Sequence, residues 1–217
     1  MTTTHYQTSL KTKKRLVLER GVKQLGLSCS DEQIDQLLTY LEMLDRWNQA
    51  YNLTAIKDPL EMIGLHLLDS LAVSPMLSGE SCIDVGTGAG LPGIPLAIMN
   101  PKKKFTLLDS NGKKTRFLFQ AKIELKLSNI QEVNTRVEKY LPEHGYDHVL
   151  SRAFSSLSDM VSYCDHLLTT GGSFLALKGR IDKTELSDIP KSYMVDEIHP
   201  LNVPGVDGAR RLIKLVR

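Results

Sequence analysis

The segment from Ser81 to Ile98 constrains the fold more than any other part of the chain. A short apolar run is followed there by closely spaced glycines and prolines and then by a second apolar run, in the sequence SCIDVGTGAGLPGIPLAI. Glycine tolerates positive φ and lets the backbone approach a ligand closely, and proline suits the first turn of a helix because its missing N–H has no helical partner there. The pattern predicts a strand, a glycine loop and a helix.

A helix beginning at Pro92 would direct its free N–H groups toward the glycine loop. Such a terminus favours a polar or anionic ligand. Asp84 lies two residues before the first glycine of the loop, where a carboxylate can bind a ribose, an ammonium group or water. The segment therefore predicts a site for a polar ligand, with Asp84, Gly86 and Gly88 as its expected members.

Strand and helix patterns alternate from residue 81 onward. Strands are predicted at 82–85, 105–109, 130–134, 147–151 and 173–178, and helices at 92–99, 112–126, 137–141 and 156–168. Several strands are apolar almost throughout, as in a parallel sheet that helices cover on both faces. Segments 193–203 and 210–216 flank the turn sequence Pro-Gly-Val-Asp-Gly and indicate a closing antiparallel hairpin. The predicted class is α/β, with a doubly wound, mostly parallel sheet.

The first 75 residues show helical patterns only. A basic, frayed arm leads into a helix at 12–25, and a capping box of Ser30 and Gln33 opens a second, amphipathic helix. A third helix is predicted from Asp58-Pro59 to about Val73, and its side formed by His66, Asp69 and Ser70 is expected to border the pocket. We therefore expect a helical extension at 1–75 and a core at 76–217, packed as one globular unit.

Composition supports one soluble domain. The chain has 217 residues, 41% of them hydrophobic, which is ample material for a core. Its three cysteines form no CxxC pair, so neither disulfides nor a metal site is predicted. The sequence shows no signal peptide and no apolar run of about 18 residues, which favours a cytoplasmic protein. The net charge is only +2, but the basic arm, with Lys11, Lys13, Lys14 and Arg15, is expected to contact nucleic-acid phosphates.

The ends of the predicted strands carry the candidate chemistry, because ligands of open α/β sheets bind beyond the carboxyl ends of the strands. After the glycine loop, these ends are Asp109, the segment 134–138, Arg152 and the segment 178–180. Asp109 follows Gly86 by 23 positions, a spacing at which a carboxylate accepts hydrogen bonds from a ribose diol. An adenosine-containing cofactor is therefore predicted.

Two such cofactors remain open at this point. The segment from Gly88 to Gly93 satisfies the G-x-G-x-x-G pattern of nicotinamide enzymes. S-adenosylmethionine is favoured by Asp84 in a D-x-G-x-G-x-G frame, by the terminal antiparallel hairpin and by the lack of a second substrate domain. No Walker motif is present, which disfavours hydrolysis of a nucleoside triphosphate.

The chain also resembles a known family from about residue 20 to residue 217. Seven short motifs carry the resemblance, namely Trp47-Asn-x-x-Tyr-Asn-Leu-Thr54, His66-x-x-Asp69-Ser70-Leu71, Asp84-Val-Gly-Thr-Gly-Ala-Gly-Leu-Pro-Gly-Ile-Pro95, Thr106-Leu-Leu-Asp-Ser110, Thr135-Arg-Val-Glu138, Ser151-Arg-Ala153 and Leu177-Lys-Gly179. They are similar to those of the RsmG family, also called GidB, bacterial methyltransferases that act on guanine N7 in the 530 loop of 16S ribosomal RNA. The resemblance implies a class I methyltransferase fold with a helical extension, S-adenosylmethionine as cofactor, and cofactor contacts at Gly86, Leu91, Val137, Glu138 and Arg152.

These inferences give each candidate residue an expected role. Asp84, Gly86 and Gly88 would hold the methionine end of the cofactor, Asp109 the ribose, and Val137 with Glu138 the adenine. Arg152 and Lys178 would lie between cofactor and RNA, holding a phosphate or guanine O6, and Arg180 would contact the RNA.

The expected partner is 16S ribosomal RNA or the small ribosomal subunit. Guanine N7 already presents a lone pair, so orientation of the reactants rather than a general base is expected to drive the transfer. A nicotinamide-dependent oxidoreductase and a non-catalytic RNA-binding module of the same fold are the alternatives.

Overall fold

The computed structural model describes residues 2–181 and 183–217, and it describes side chains at 9–181 and 184–217. Its centre is a seven-stranded mixed sheet with the strand order β3-β2-β1-β4-β5-β7-β6. The strands are β1 Ser81–Val85, β2 Lys104–Asp109, β3 Ile130–Asn134, β4 Tyr146–Ser151, β5 Leu168–Lys178, β6 Met194–Pro200 and β7 Arg211–Val216. Strands β1 to β5 are parallel, and β7 pairs antiparallel with both β5 and β6. The predicted mostly parallel sheet with a closing antiparallel hairpin is confirmed.

Helices flank this sheet and precede it. They are α1 Thr2–Gln24, α2 Asp31–Tyr51, α3 Pro59–Met62, α4 Asp69–Leu71, α5 Gly93–Met99, α6 Gly112–Glu124, α7 Leu157–Cys164 and α8 Lys183–Ser187. A π-helical segment, Ile63–Leu68, joins α3 to α4, and short 3-10 turns lie at Ser74–Met76, Val137–Lys139 and Asp165–Leu167.

Both faces of the sheet are buried. Along β1, Cys82 belongs to one apolar cluster and Ile83 to another, because successive side chains of a strand point to opposite faces. The first cluster contains Leu37 and Leu41 of α2, and the second contains Met160 of α7. The helical extension therefore covers one face of the sheet and shares its core.

The helix predicted at 12–25 begins earlier in the structure, because α1 runs from Thr2 to Gln24. The sequence between residues 2 and 20 contains neither glycine nor proline, so nothing interrupts the helix. Leu18 and Val22 anchor it in the core with exposed fractions of 0% and 3%. The capping box of α2 is confirmed, since Ser30 Oγ accepts from the Gln33 N–H and Gln33 Oε1 accepts from the Ser30 N–H.

The helix predicted at 58–73 is helical without a break from Pro59 to Leu71, but its middle is a π-helical turn rather than an α-helical one. Asp58 caps it and Pro59 opens it as expected, but α3 ends at Met62 and a π-helical turn follows. The Asp69 N–H donates to the Gly64 carbonyl, five residues back, which widens this turn. Gly64 packs here against the loop between β6 and β7, where a Cβ would lie 3.0 Å from Val206 Cγ2.

Strand β5 begins five residues before its predicted start, at Leu168, so Gly171 and Gly172 lie within the strand. The pairing of β4 with β5 shifts register between Tyr146 and His148. A Cβ on Gly172 would approach the carbonyl oxygens of Tyr146 and Asp147 to 2.9 Å. The glycine pair that resembles a turn in the sequence therefore permits a bulge and a close backbone approach.

Within the part of the chain that the structure describes, no helix has both the length and the apolar character of a membrane span. Cys29, Cys82 and Cys164 are free thiols.

Candidate functional site

Two clefts open where the parallel strands end. The Gly86 cleft has a volume of about 300 Å³ and is lined by Val85, Gly86, Leu108, Asp109, Ser110, Lys114, Thr135, Arg136, Val137, Glu138, Ala153 and Phe154. The Arg152 cleft has a volume of about 350 Å³ and is lined by Ile56, Leu65, His66, Asp69, Arg152, Leu177, Lys178, Gly179, Leu201, Arg210 and Arg211. Residues 152–154 separate them, because Arg152 lines one cleft while Ala153 and Phe154 line the other.

The glycine loop folds over the end of strand β2. The N–H groups of Gly86 and Thr87 both donate to the Leu108 carbonyl, and Gly86 has a φ of +70°. A Cβ on Gly86 would lie 2.7 Å from Ala153 Cβ. Only glycine suits this position, since both the dihedral angle and the close approach exclude a side chain.

Asp84 lies beneath the loop and is fully buried. Its Oδ2 accepts hydrogen bonds from Thr87 Oγ1 at 2.6 Å and from the Gly93 N–H at 2.9 Å. Its Oδ1 is buried without a hydrogen-bond partner among the described residues. Burial raises the pKa of Asp84 to about 6, against the opposing effect of these two hydrogen bonds.

The expectation that helix α5 directs free N–H groups at a ligand is wrong. The helix begins at Gly93, whose N–H is taken by Asp84, and the Ile94 N–H donates to the Gly90 carbonyl. Pro92 and Pro95 contribute no donors. The Asp84 carboxylate thus already accepts from the first N–H of the helix. A ligand at this end of the sheet has to be bound by carboxylates and by the loop instead.

Asp109 lies at the end of β2 and lines the Gly86 cleft. Its Oδ2 accepts from the Gly88 N–H at 2.9 Å, and its Oδ1 accepts from the Asn111 N–H at 2.8 Å. Lys114 Nζ lies 3.4 Å from Oδ2. A carboxylate has about four lone-pair sites, so Asp109 keeps acceptor capacity for a ligand.

The remaining predicted cofactor residues divide between the two clefts. Val137 and Glu138 form the 3-10 turn after β3 and line the Gly86 cleft with Asp109. Arg152 lies in the other cleft. Gly88 and Leu91 line neither cleft. Gly88 donates its N–H to Asp109, and Leu91 packs on the apolar core.

The Arg152 cleft contains two of the three side chains predicted on the third helix. Asp69 is paired with Arg152 and Arg210, and His66 Nε2 lies 2.8 Å from Thr54 Oγ1. The structure contradicts the expectation for Ser70, which is fully buried. Its Oγ donates to the His66 carbonyl at 2.6 Å, because serine within a helix readily bonds back to the preceding turn.

Lys178 lines the Arg152 cleft, but its ammonium group has protein partners. Nζ donates to the carbonyl oxygens of Phe154 and Ser155 at 3.0 and 2.8 Å and lies 2.8 Å from Glu185 Oε1. Lys178 thereby ties β5 to the segment that separates the clefts. Arg180, two residues further, is exposed.

The four basic residues predicted on the arm lie on α1, away from both clefts. Lys14 Nζ lies 3.5 Å from Glu42 Oε1, and Arg15 pairs with Glu19, Asp31 and Asp35. Apart from the Arg15–Glu19 pair, which lies within α1, these ion pairs connect α1 to α2. Lys11 and Lys13 are exposed, and Lys13 borders a separate groove beside Leu16 and Val17.

Several residues at the site have no individual role predicted from the sequence, although Arg136 belongs to the predicted strand end 134–138 and the sequence shows basic clusters at Lys113-Lys114 and Arg210-Arg211. Lys114 and Arg136 line the Gly86 cleft, and Arg210 and Arg211 line the Arg152 cleft. Tyr40 of α2 is fully buried, and its hydroxyl donates to the Ala89 carbonyl in the glycine loop at 2.8 Å. Helical spacing with Leu37 and Leu44 indicates that Tyr40 is buried, but no sequence signal pairs it with Ala89.

We expect Tyr40→Phe to lower the free energy of unfolding by about 1–2 kcal/mol, because the Ala89 carbonyl loses its buried donor while the ring keeps its packing. Urea denaturation of both proteins measures this difference. Tyr51→Phe is the matched control, since Tyr51 is 42% exposed. An equal effect of the two substitutions would contradict a special role for the Tyr40 hydroxyl.

We expect acid to destabilise the fold through His66. Burial lowers the pKa of His66 to about 4, and the charge of Arg152 acts in the same direction. The unfolded histidine titrates near 6.5, so between these values the unfolded state binds more protons and stability falls as the pH decreases, by about 2 kcal/mol. Asp84 acts oppositely, because its raised pKa makes its contribution greatest at low pH.

Urea denaturation of the wild type and of two variants at pH 7.5 and pH 5 separates the contribution of His66 from that of the other titrating groups. His66→Gln should lose less stability than the wild type on this change, while His144→Gln, at an exposed histidine, should follow the wild type. Parallel pH dependence of all three proteins would exclude His66 as the group that titrates.

Comparison with known proteins identifies similar chains. A family model described as GidB, rRNA small subunit methyltransferase G, matches residues 33–213. The Ribosomal RNA small subunit methyltransferase G of Photobacterium profundum is 51% identical over 203 residues, which is 94% of this chain and 98% of that protein.

Solved structures show the same fold at low sequence identity. Precorrin-6y C5,15-methyltransferase from Geobacter metallireducens GS-15 is 18% identical, with a TM-score of 0.52 over 68% of this chain and 85% of that chain. A SAM-dependent methyltransferase from Thiobacillus denitrificans, in complex with S-adenosyl-L-homocysteine, is 14% identical, with a TM-score of 0.50 over 74% of each chain. The predicted class I methyltransferase fold is confirmed.

Proposed function

Since this chain belongs to the GidB family of S-adenosylmethionine-dependent rRNA small subunit methyltransferase G enzymes, we propose that it transfers a methyl group to N7 of a guanine in the 530 loop of 16S ribosomal RNA. The observation that supports this proposal is the pair of clefts at the strand ends, which share the segment 152–154, with Arg152 in one lining and Ala153 and Phe154 in the other. In this proposal, the Gly86 cleft takes the methyl donor and the Arg152 cleft takes the acceptor base.

The residues of the Gly86 cleft fit S-adenosylmethionine. Beneath the glycine loop and behind the lining of this cleft, Asp84 Oδ1 is a buried acceptor without a partner among the described residues, and a buried carboxylate oxygen favours a cationic donor such as an ammonium group. Asp109 has acceptor capacity left for the hydroxyls of a ribose. Val137 is only 9% exposed and follows β3 at the same cleft, so it offers an apolar surface for the adenine.

The proposed methyl transfer requires the protein mainly to orient the two reactants. S-adenosylmethionine supplies an electrophilic methyl group, and N7 of guanine carries a lone pair that needs no deprotonation. His66 is held neutral by its lowered pKa, and the reaction we propose does not use it as a base. The protein holds the donor at Asp84 and Asp109 and the RNA at the Arg152 cleft, and such orientation can supply about 7–11 kcal/mol of the barrier.

The acceptor guanine has to be unpaired and unstacked from its neighbouring bases to enter the Arg152 cleft. In a paired A-form helix, N7 lies in a deep and narrow major groove that side chains cannot enter. An unpaired or extruded guanine presents N7 and O6 together on one edge. A loop nucleotide fits this requirement. Arg152 stays a predicted contact for its phosphate or O6, whereas the three donors of the Lys178 ammonium group already have protein partners.

The decisive experiment maps N7-methylguanine in small-subunit RNA from cells with and without this protein. We expect one methylated guanine in the 530 loop that disappears when the gene is deleted and returns with the wild-type gene. Purified enzyme with labelled S-adenosylmethionine should then modify RNA or particles from the deletion strain, and comparing free RNA with assembled particles identifies the substrate.

Two results would contradict the proposal. An unchanged methylation map in the deletion strain would exclude this reaction. Binding of S-adenosylmethionine and RNA without any transfer would instead indicate the non-catalytic RNA-binding module.

A further inference from the structure

We propose that Asp69 holds Arg152 and Arg210 as a clamp for an RNA phosphate next to the acceptor guanine. The inference rests on the proposed function and adds to it the contribution of the hairpin arginine and of the carboxylate between the two arginines. The three side chains come from distant parts of the chain: α4, the end of β4, and the residue just before β7.

One carboxylate organises both guanidinium groups. Asp69 Oδ2 lies 3.4 Å from Arg152 Nη1, and Asp69 Oδ1 lies 3.2 Å from Arg210 Nε. The Asp69 side chain is only 8% exposed, whereas each arginine side chain is 31% exposed. The carboxylate is therefore enclosed behind the arginines, and the outer parts of both guanidinium groups face the cleft they line.

Both arginines retain donors for a ligand. A guanidinium group has five N–H donors. Arg210 donates one Nη1 hydrogen to the Ala209 carbonyl. Its Nε forms an ion pair with Asp69 Oδ1, which has no partner of hydrogen-bond geometry among the described residues, and Arg152 contacts Asp69 through Nη1. The remaining forked donors suit two oxygens of one phosphate, which arginine binds in a bidentate manner. Because Asp69 already restricts both side chains, less conformational entropy is lost when the phosphate binds.

The charge of the cleft favours an anion. Its lining contains Arg152, Lys178, Arg210 and Arg211, with Asp69 as the carboxylate. Glu185 neutralises Lys178, and His66 is neutral at physiological pH, so the arginines dominate. The Gly86 cleft is balanced, with two carboxylates and two cations in its lining. A phosphate is therefore expected on the Arg152 side of residues 152–154.

The carboxylate of the methionine end of the cofactor offers the same chemistry as a phosphate, so the test has to separate the two anions. The variant is Arg210→Gln, which keeps a polar side chain at a partly exposed position. Calorimetry with S-adenosylhomocysteine measures the cofactor site. Fluorescence anisotropy of labelled enzyme with unmodified small-subunit particles, between 50 and 200 mM salt, measures the RNA site.

We expect Arg210→Gln to bind S-adenosylhomocysteine within about twofold of wild type. Its affinity for the particles should fall about tenfold, and the slope of log affinity against log salt should decrease by about one, as loss of one phosphate contact requires. Asp69→Asn should weaken particle binding to a similar extent, and the double variant should be little worse than either single variant, because the residues act as one unit. Arg46→Gln, at an exposed arginine of α2, is the matched control.

The other possible results would contradict either the clamp or the proposed function. Loss of affinity for S-adenosylhomocysteine in Arg210→Gln would assign the clamp to the cofactor carboxylate and overturn the proposal, as would particle binding equal to that of Arg46→Gln. Wild-type enzyme that binds particles without methylating them would refute the proposed function, and the binding comparison would still decide whether the clamp exists.

Discussion

Asp109→Ala is expected to weaken the binding of S-adenosylmethionine by about 100-fold or more. The carboxylate lines the Gly86 cleft, and the Gly88 and Asn111 N–H groups fix its orientation. Two hydrogen bonds from a ribose to a charged acceptor contribute about 1.5–3 kcal/mol each, and about 3 kcal/mol corresponds to somewhat more than 100-fold. Alanine also removes the partner of the Gly88 N–H, which loosens the glycine loop.

Isothermal titration with S-adenosylmethionine and S-adenosylhomocysteine measures this loss. Asp109→Asn keeps one acceptor and the shape of the side chain, so we expect an intermediate affinity. Both variants should still unfold cooperatively, because Asp109 lies at the rim of the sheet. An affinity of Asp109→Ala within threefold of wild type would remove this carboxylate from the cofactor site.

Asp84→Ala is expected to lower the free energy of unfolding by about 3 kcal/mol at pH 5. It leaves the Thr87 hydroxyl and the Gly93 N–H without their buried acceptor, and each such loss costs about 1–3 kcal/mol. The effect should shrink toward pH 8. The folded pKa of Asp84, about 6, lies above the unfolded value, so its contribution is complete below the unfolded pKa and is lost as the pH rises through 6.

Urea denaturation at pH 5 and pH 8 tests both the size and the direction of this effect. Asp84→Asn retains an acceptor for one donor and cannot ionise, so it should destabilise less, and its deficit against wild type should also narrow toward pH 8. A deficit of Asp84→Ala that grows with pH would show that the ionised carboxylate is the stabilising form.

The sequence predicts the Gly86 cleft well, because its signals are local. The glycine loop, Asp109 and the Val137-Glu138 turn each follow a strand directly, and parallel strands bring their carboxyl ends to one edge. No long-range information is needed to place these residues together. The parallel sheet follows from the alternation of strand and helix patterns, and the terminal hairpin follows from its turn sequence.

The Arg152 cleft is less predictable, because its side chains are arranged by partners far away in the chain. Lys178 ends a strand as expected, but Glu185 and the carbonyls of residues 154 and 155 decide where its ammonium group lies. Arg210 reaches the cleft only because β7 pairs antiparallel with β5.

The hydrogen bond from Tyr40 to Ala89 also bears on how this protein can be engineered. Helix α2 supplies a donor to the glycine loop, which we propose is part of the cofactor site, and its apolar face shares a core with Ile94 and Phe117. A truncated catalytic fragment starting near residue 76 would expose that core and leave the loop carbonyl unpaired. Chimeras between relatives should therefore exchange α2 together with the loop it supports, as one transplantable block.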